Sequence, residues 1–252
     1  MRLGRLPADP ARLARTPSLA SHRFAAVPPP VRLDRSAIEF QPGLYGNDYL
    51  PDCSAAGLTN AAGMVAAING YTLAIDADKV PPFYAACVGC DPTDAAMEAT
   101  DGAMLLDVLQ RQLQSGFDVG EQVPLIGLHG TLPLQRSVIA NAMCRLGHAY
   151  LGVTLLERDM EPAVVWDVQP GRDDGAVVGG HCVVGWDYGG LGDGDTLRLA
   201  TWGGWQRATW QWLAARLDEA HALVWRQLAA ASGADIGVDA DALAADLAGM
   251  VA

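Results

Sequence analysis

Residues 44–63 read LYGNDYLPDCSAAGLTNAAG. A turn-rich segment stops at Cys53. From there to about Asn69 small and apolar side chains recur at helical spacing, SAAGLTNAAGMVAAIN. Small side chains let a helix be packed closely, as one buried in a core must be. A cysteine that opens a helix feels the positive end of its dipole, which favours the thiolate. Asn47, six positions earlier, carries an amide that can donate N–H bonds. The pattern reads as the front half of a thiol active site. Its plain counterpart is a buried Cys53 acting as a small hydrophobe.

The chain has 252 residues, half of them hydrophobic, a mean hydropathy of +0.13 and a net charge of −12. That length can bury one large core or two modest ones. No apolar run reaches the roughly 18 residues a membrane-spanning helix needs, and the N-terminal segment has no secretory apolar stretch. These features predict a soluble protein. Five cysteines without framework spacing predict free thiols in a reducing compartment. The charge is uneven: residues 1–35 hold seven arginines against Asp9 and Asp34. We divide the chain into a basic, proline-rich extended arm (1–40), a main domain (41–228) and a tail with a short helix (229–252). A basic arm suits an acidic protein surface or nucleic acid, the latter less well here. Having no core of its own, an ordered arm must be held by the body or by a partner chain.

The spacing predicts helices over 53–69, 79–88, 102–116, 132–147 and 207–217, and strands over 122–128, 149–156, 181–188, 196–202 and 220–225. DPTD at 91–94 reads as a turn, and GGLGDG at 189–194 as a hairpin connection. Helices precede most strands, which points to α+β architecture without alternating βαβ units.

A cysteine nucleophile needs a base, usually a distant histidine. Of five histidines, His181 stands out in VVGGHCVVGWDYGG. Two glycines before it allow close backbone approach, and it opens an apolar strand. ATWGGW at 200–205 forms a glycine–aromatic corner later in the chain.

This order resembles the papain-like cysteine peptidases, and more closely the uncharacterised papain-like proteins of tailed phages and prophages. The segments carrying it are GNDYLPDC, GGHCVV, TWGGWQRATW and DEAHALV, in that order across residues 40–226. The resemblance implies a papain-like α+β fold, with a helical lobe around the Cys53 helix and an antiparallel β-sheet lobe. It implies Cys53 as nucleophile, His181 as base and Asn47 in the oxyanion hole, with a peptide or amide substrate and no cofactor. It also implies a virion or host-cytoplasm setting. The family's histidine-orienting asparagine falls at Ala200, which cannot serve. Thr201 is next to it, but neighbouring strand residues point to opposite faces, so Asp187 is the candidate substitute.

Other features read as structure. Cys87 and Cys90 form a single CxxC, half of a zinc site at most. Cys182 should face away from His181. Trp202, Trp205, Trp210 and Trp212 suit a packing corner, with a ligand groove as the less common role. Two functions stay open: a thiol hydrolase, or an inactive virion component whose arm (1–40) binds neighbouring phage structural proteins.

Overall fold

The structure is a computed structural model describing residues 2–22, 28–120, 124–162, 165–229 and 238–251. In chain order the helices are α1 (Pro10–Arg15), α2 (Cys53–Ile68), α3 (Val80–Val88), α4 (Asp94–Glu98), α5 (Leu105–Ser115), α6 (Arg136–Arg145), α7 (Trp210–Arg216), α8 (Arg226–Ala229) and α9 (Ala240–Val251). The strands are β1 (Gly127–Thr131), β2 (Ala149–Leu156), β3 (Val165–Trp166), β4 (Val177–Tyr188), β5 (Thr196–Thr201), β6 (Gly204–Thr209) and β7 (Leu217–Trp225). They form one sheet, ordered β1-β7-β2-β4-β5-β6-β3, antiparallel except where β3 joins β6. The α+β reading holds: a helical lobe of α2, α3 and α5 packs on one face of this sheet.

Helix α2 is the axis of that lobe, with every residue from Cys53 to Ala66 buried. Its small side chains permit this. A Cβ at Gly57 would stand 2.6 Å from Cys182 Sγ, so the glycine sets how closely α2 approaches β4. Leu58 and Met64 are fully enclosed, each contributing about 1.5–3 kcal/mol of apolar burial. Asn60 clamps the preceding loop, accepting from Gly43 N–H at 2.8 Å and donating to Gly43 O at 3.0 Å.

The described part of the arm lies on its own body. Leu33 pairs with Tyr188. Arg35 is buried, its guanidinium donating to Met143 O (2.5 Å), Trp186 O (2.6 Å) and Gly147 O (3.1 Å). Arg12 pairs with Asp107 at 2.8 Å. The charge asymmetry thus has a local use: basic arm on acidic body.

Several boundaries differ from expectation. The strand expected over 122–128 begins at Gly127, with 121–123 outside the described residues. The helix expected over 207–217 starts only at Trp210, where Thr209 Oγ1 caps Trp212 N–H. Its first part instead completes strand β6, pairing with β5 from Thr196↔Thr209 to Thr201↔Gly204. The GGLGDG segment does connect antiparallel neighbours, β4 and β5. No described helix is long and apolar enough to cross a membrane.

Candidate active site

Cys53 is the first residue of α2 and is buried. First-turn N–H groups have no intrahelical acceptor and point outward from the helix. The backbone N–H groups of Cys182 and Gly4 are among the neighbours of the thiol, so Cys53 lies near the residue that follows His181.

His181 is fully buried in β4. Its Nε2 lies 2.6 Å from Thr201 Oγ1, and its Nδ1 has no hydrogen-bond partner. Trp202 stacks on the imidazole, with centroids 4.3 Å apart and planes at 22°. The hydrogen-bond partner of His181 is therefore Thr201 and not Asp187, the residue expected there: the Asp187 carboxylate is bound to the Arg198 guanidinium, at 2.8 Å from Nε. Register explains both. Ala200 pairs with Val184 and faces the α2 core. One step further, Thr201 shares the face of Val183 and His181. Ala200 and Thr201 do point to opposite faces, and the cross-strand register decides which face each takes.

Trp202 is held at φ +45° and Gly203 at φ +71°. They form the two-residue β5–β6 loop, where positive φ at both positions matches the strand twist. Tryptophan is a costly choice there, and strain of this kind clusters at functional sites. The WGG sequence flagged a turn, but not that its tryptophan covers His181. Trp210 and Trp212 are core residues, as expected.

Asn47 is buried and its Nδ2 donates to Arg2 O (3.2 Å) and Leu50 O (3.1 Å). Trp202 Nε1 donates to the same Arg2 carbonyl at 3.2 Å. The arm therefore runs through the cleft. Gly4 and Arg5 N–H groups both donate to Gly180 O, at 3.3 and 3.1 Å. On the other wall Ala103 N–H donates to Gly4 O (2.8 Å) and Leu6 N–H to Ala103 O (3.0 Å). Glycines make the fit possible. A Cβ at Gly4 would lie 1.9 Å from Pro51 O, and one at Gly102, at φ +109°, 1.9 Å from Gly4 O.

This cover sets the electrostatics. Burial pushes the Cys53 thiol up to about 12, with Asp52 adding to the rise and the two N–H groups and Arg5 opposing it. Burial, then the Arg5 charge, pulls His181 down to about 3. Under the arm the pair is a neutral thiol and a neutral imidazole. Cys182 faces the α2 core, as expected. The five cysteines are free, and among the described residues no group of three potential metal ligands comes together; Cys87 and Cys90 are half-buried in and after α3.

Neither a protein-family model nor a curated protein matches the sequence. Solved structures do match in fold. Xylellain, a cysteine protease from Xylella fastidiosa, aligns with TM-score 0.61 and 14% identity over 88% of this chain and 95% of its own. Procathepsin B S9 from Trypanosoma congolense aligns with TM-score 0.64 and 12% identity over 88% and 87%. Procathepsin L 3 from Tenebrio molitor larval midgut aligns with TM-score 0.54 and 12% identity over 87% and 73%. The chain has the papain-like cysteine protease fold.

The Thr201 contact is testable. Thr201→Val keeps the volume but removes the polar partner of Nε2. We expect the folded protein to lose about 1–3 kcal/mol in denaturant unfolding, the cost of leaving a buried polar group unpaired, and to recover it in Thr201→Ser. Equal stability in all three would show that the Nε2 contact contributes nothing.

Proposed function

We propose that the protein is a thiol hydrolase acting on peptide or amide bonds, with its own residues 2–6 seated in the cleft as a removable cover. The observation that carries this is the placing of a thiol at a helix N-terminus beside Cys182, the residue that follows His181, whose own Nε2 is occupied by Thr201 and whose Nδ1 has no hydrogen-bond partner. The fold shared with a cysteine protease and two procathepsins supports the class.

With the arm displaced, Nε2–H donates to Thr201 and the Nδ1 lone pair takes the proton of Cys53. The sulfur then forms a bond to the substrate carbonyl carbon. Charge develops on the carbonyl oxygen, where the Cys53 N–H and the Asn47 amide stabilise it. The C–N bond breaks as His181 gives its proton to the departing amine, leaving a thioester. Water attacks the thioester and passes a proton to His181. The carboxylate product leaves and the thiol is restored. No cofactor enters these steps.

The four ordered sequence motifs support a finer placement, among papain-like proteins of tailed phages and prophages in virion or host cytoplasm. In that setting the released arm is the segment that meets neighbouring phage structural proteins.

The test compares hydrolysis of a fluorogenic peptide mixture by the wild type and by Gly4→Val, whose added side chain would collide with Pro51 O. We expect turnover in Gly4→Val, abolished by adding Cys53→Ala. An arm-displaced protein with no turnover and no reaction with a thiol-directed probe would instead favour the inactive structural reading.

A further inference from the structure

Away from the cleft, residues 32–36 of the arm and the ends of β4, β5 and β6 enclose a cavity of about 310 Å³. It adjoins Tyr188, seven residues beyond His181 along β4, which is roughly 20 Å of strand. Three arginines line it, Arg32, Arg198 and Arg207, with two acids, Asp34 and Asp187. Both acids are already engaged. Asp187 is bound to the Arg198 guanidinium and accepts from Arg35 N–H at 3.4 Å. Asp34 accepts from Arg32 Nη2 at 2.6 Å and from Ser36 N–H at 2.9 Å. The Arg207 guanidinium has neither an ion pair nor a hydrogen bond among the described residues. Its cross-strand partner is Arg198. Directly opposed side chains share one face of a sheet, and like charges there repel. Arg198 cannot turn aside, because Asp187 holds its Nε side and its Cζ lies 5.0 Å from the centre of the Trp205 ring. The fold thus fixes one guanidinium and sets a second, unneutralised one beside it.

We propose that this cavity binds a phosphate group, held between Arg207 and Arg198 on the sheet and Arg32 on the arm. The site stands whether or not the thiol turns over a substrate. Guanidinium forks match the oxygens of carboxylates and phosphates in pairs. A carboxylate offers two oxygens and one charge, which one fork consumes, as Asp187 shows on Arg198. Bridging opposed forks takes a third oxygen and a second charge, and a phosphate has both. Arg32 is free to join. Its pair with Asp34 is exposed on both sides, at 65% and 45%, and such pairs are worth about 0–1 kcal/mol, so exchanging Asp34 for a dianion costs little. The bound group would tie the arm to the sheet beside the Leu33–Tyr188 pairing.

Calorimetric titration of the full-length chain at pH 7.5 tests this, with inorganic phosphate in one arm, glycerol 3-phosphate in another and acetate at matched ionic strength in a third. We expect one saturable phosphate site with Kd below about 1 mM. Arg207→Gln removes a side chain without partners, so the fold is kept, and it should weaken binding about tenfold or more, as loss of a charge-assisted contact does. Arg207→Lys keeps the charge without the fork and should fall between the two. Arg111→Gln, which removes the same charge from an exposed position on α5, should bind as the wild type does. Binding of both phosphates assigns the site to the group itself, and binding of the ester alone assigns it to an organic phosphate. No saturable binding, equal binding of acetate, or equal losses in Arg207→Gln and Arg111→Gln would overturn the proposal and leave Arg207 as a solvated surface charge.

Discussion

In Gly4→Val, iodoacetamide should alkylate Cys53 at pH 7 about a thousand times faster than in the wild type. Beneath the arm the thiol is held up at about 12, so only about one molecule in 10⁵ carries the thiolate at pH 7. Displacing residues 2–6 removes the cause, which is burial, and keeps what favours the anion. Cys53 still opens α2, and the Cys182 N–H is still among its neighbours. An ordinary hydrated thiol, with a pKa of about 8.5, is a few per cent ionised at pH 7. Relief of burial on His181 acts in the same sense, since a hydrated imidazole can hold the proton. Adding His181→Ala to Gly4→Val should therefore slow alkylation again. Peptide mapping must assign the label, because Cys87, Cys90 and Cys144 are less buried. Equal Cys53 rates with the arm seated and displaced would show that the arm does not control the thiol. A fast thiol indifferent to His181 would remove the base from the mechanism.

The parts of this site that could be read from the chain are those set by local rules. Cys53 opens a small-residue helix, and helical spacing with a buried surface all round shows that directly. His181 opens an apolar strand after two glycines, which is equally local. Thr201 depends on the pairing of β5 with β4, a relation between residues far apart along the chain, and no periodicity within either strand supplies it. The role of the hairpin tryptophan depends on the same kind of relation. Gly-Gly after Trp202 signals a turn, yet stacking on His181 follows only when β5, β6 and β4 lie side by side. The segment GWQRAT lost its strand signal because its aromatic and polar residues do not alternate cleanly, and the helix beginning at Trp210 drew its boundary forward.

The arm illustrates the same limit in charge. Seven arginines within 35 residues marked a segment needing an acidic counterpart. Its own body supplies that counterpart, at Asp107 for Arg12 and at Asp218 and Glu219 for Arg5. Both acids that hold Arg5 sit in DEAHALV, a segment noted for its order in the chain rather than for its charge. Arg35 is a different case. It is buried among carbonyl oxygens and over the Trp186 ring, with no ion pair in the described residues. Burial pulls its pKa down to about 10, and it stays charged at neutral pH. Such an anchor fixes the chain near residue 35 independently of the contacts that residues 2–6 make.

The second large effect concerns Asp52, which ends the loop before Cys53. Replacing it with asparagine should stabilise the protein at pH 7, by up to about 4 kcal/mol. Asp52 is fully buried and neither carboxyl oxygen has a hydrogen-bond partner. Although it stands at the N-cap of α2, its side chain makes no cap bond. Burial pushes its pKa up to about 8. In the unfolded chain it titrates near 3.9. The folded state therefore binds this proton more tightly. The group's contribution is fully present below about pH 4 and is lost as pH rises toward 8. Asparagine has no proton to lose, so the gain in Asp52→Asn should be largest near pH 8 and vanish near pH 4. Denaturant unfolding of both proteins at the two pH values measures the difference directly. A gain of the same size at pH 4 would mean that packing, not protonation, explains it, and a loss of stability at pH 8 would show that the carboxylate is paired after all. Keeping Asp52 neutral also has a consequence for chemistry: a carboxylate there would oppose ionisation of the adjacent thiol, and the acid form spares Cys53 that repulsion.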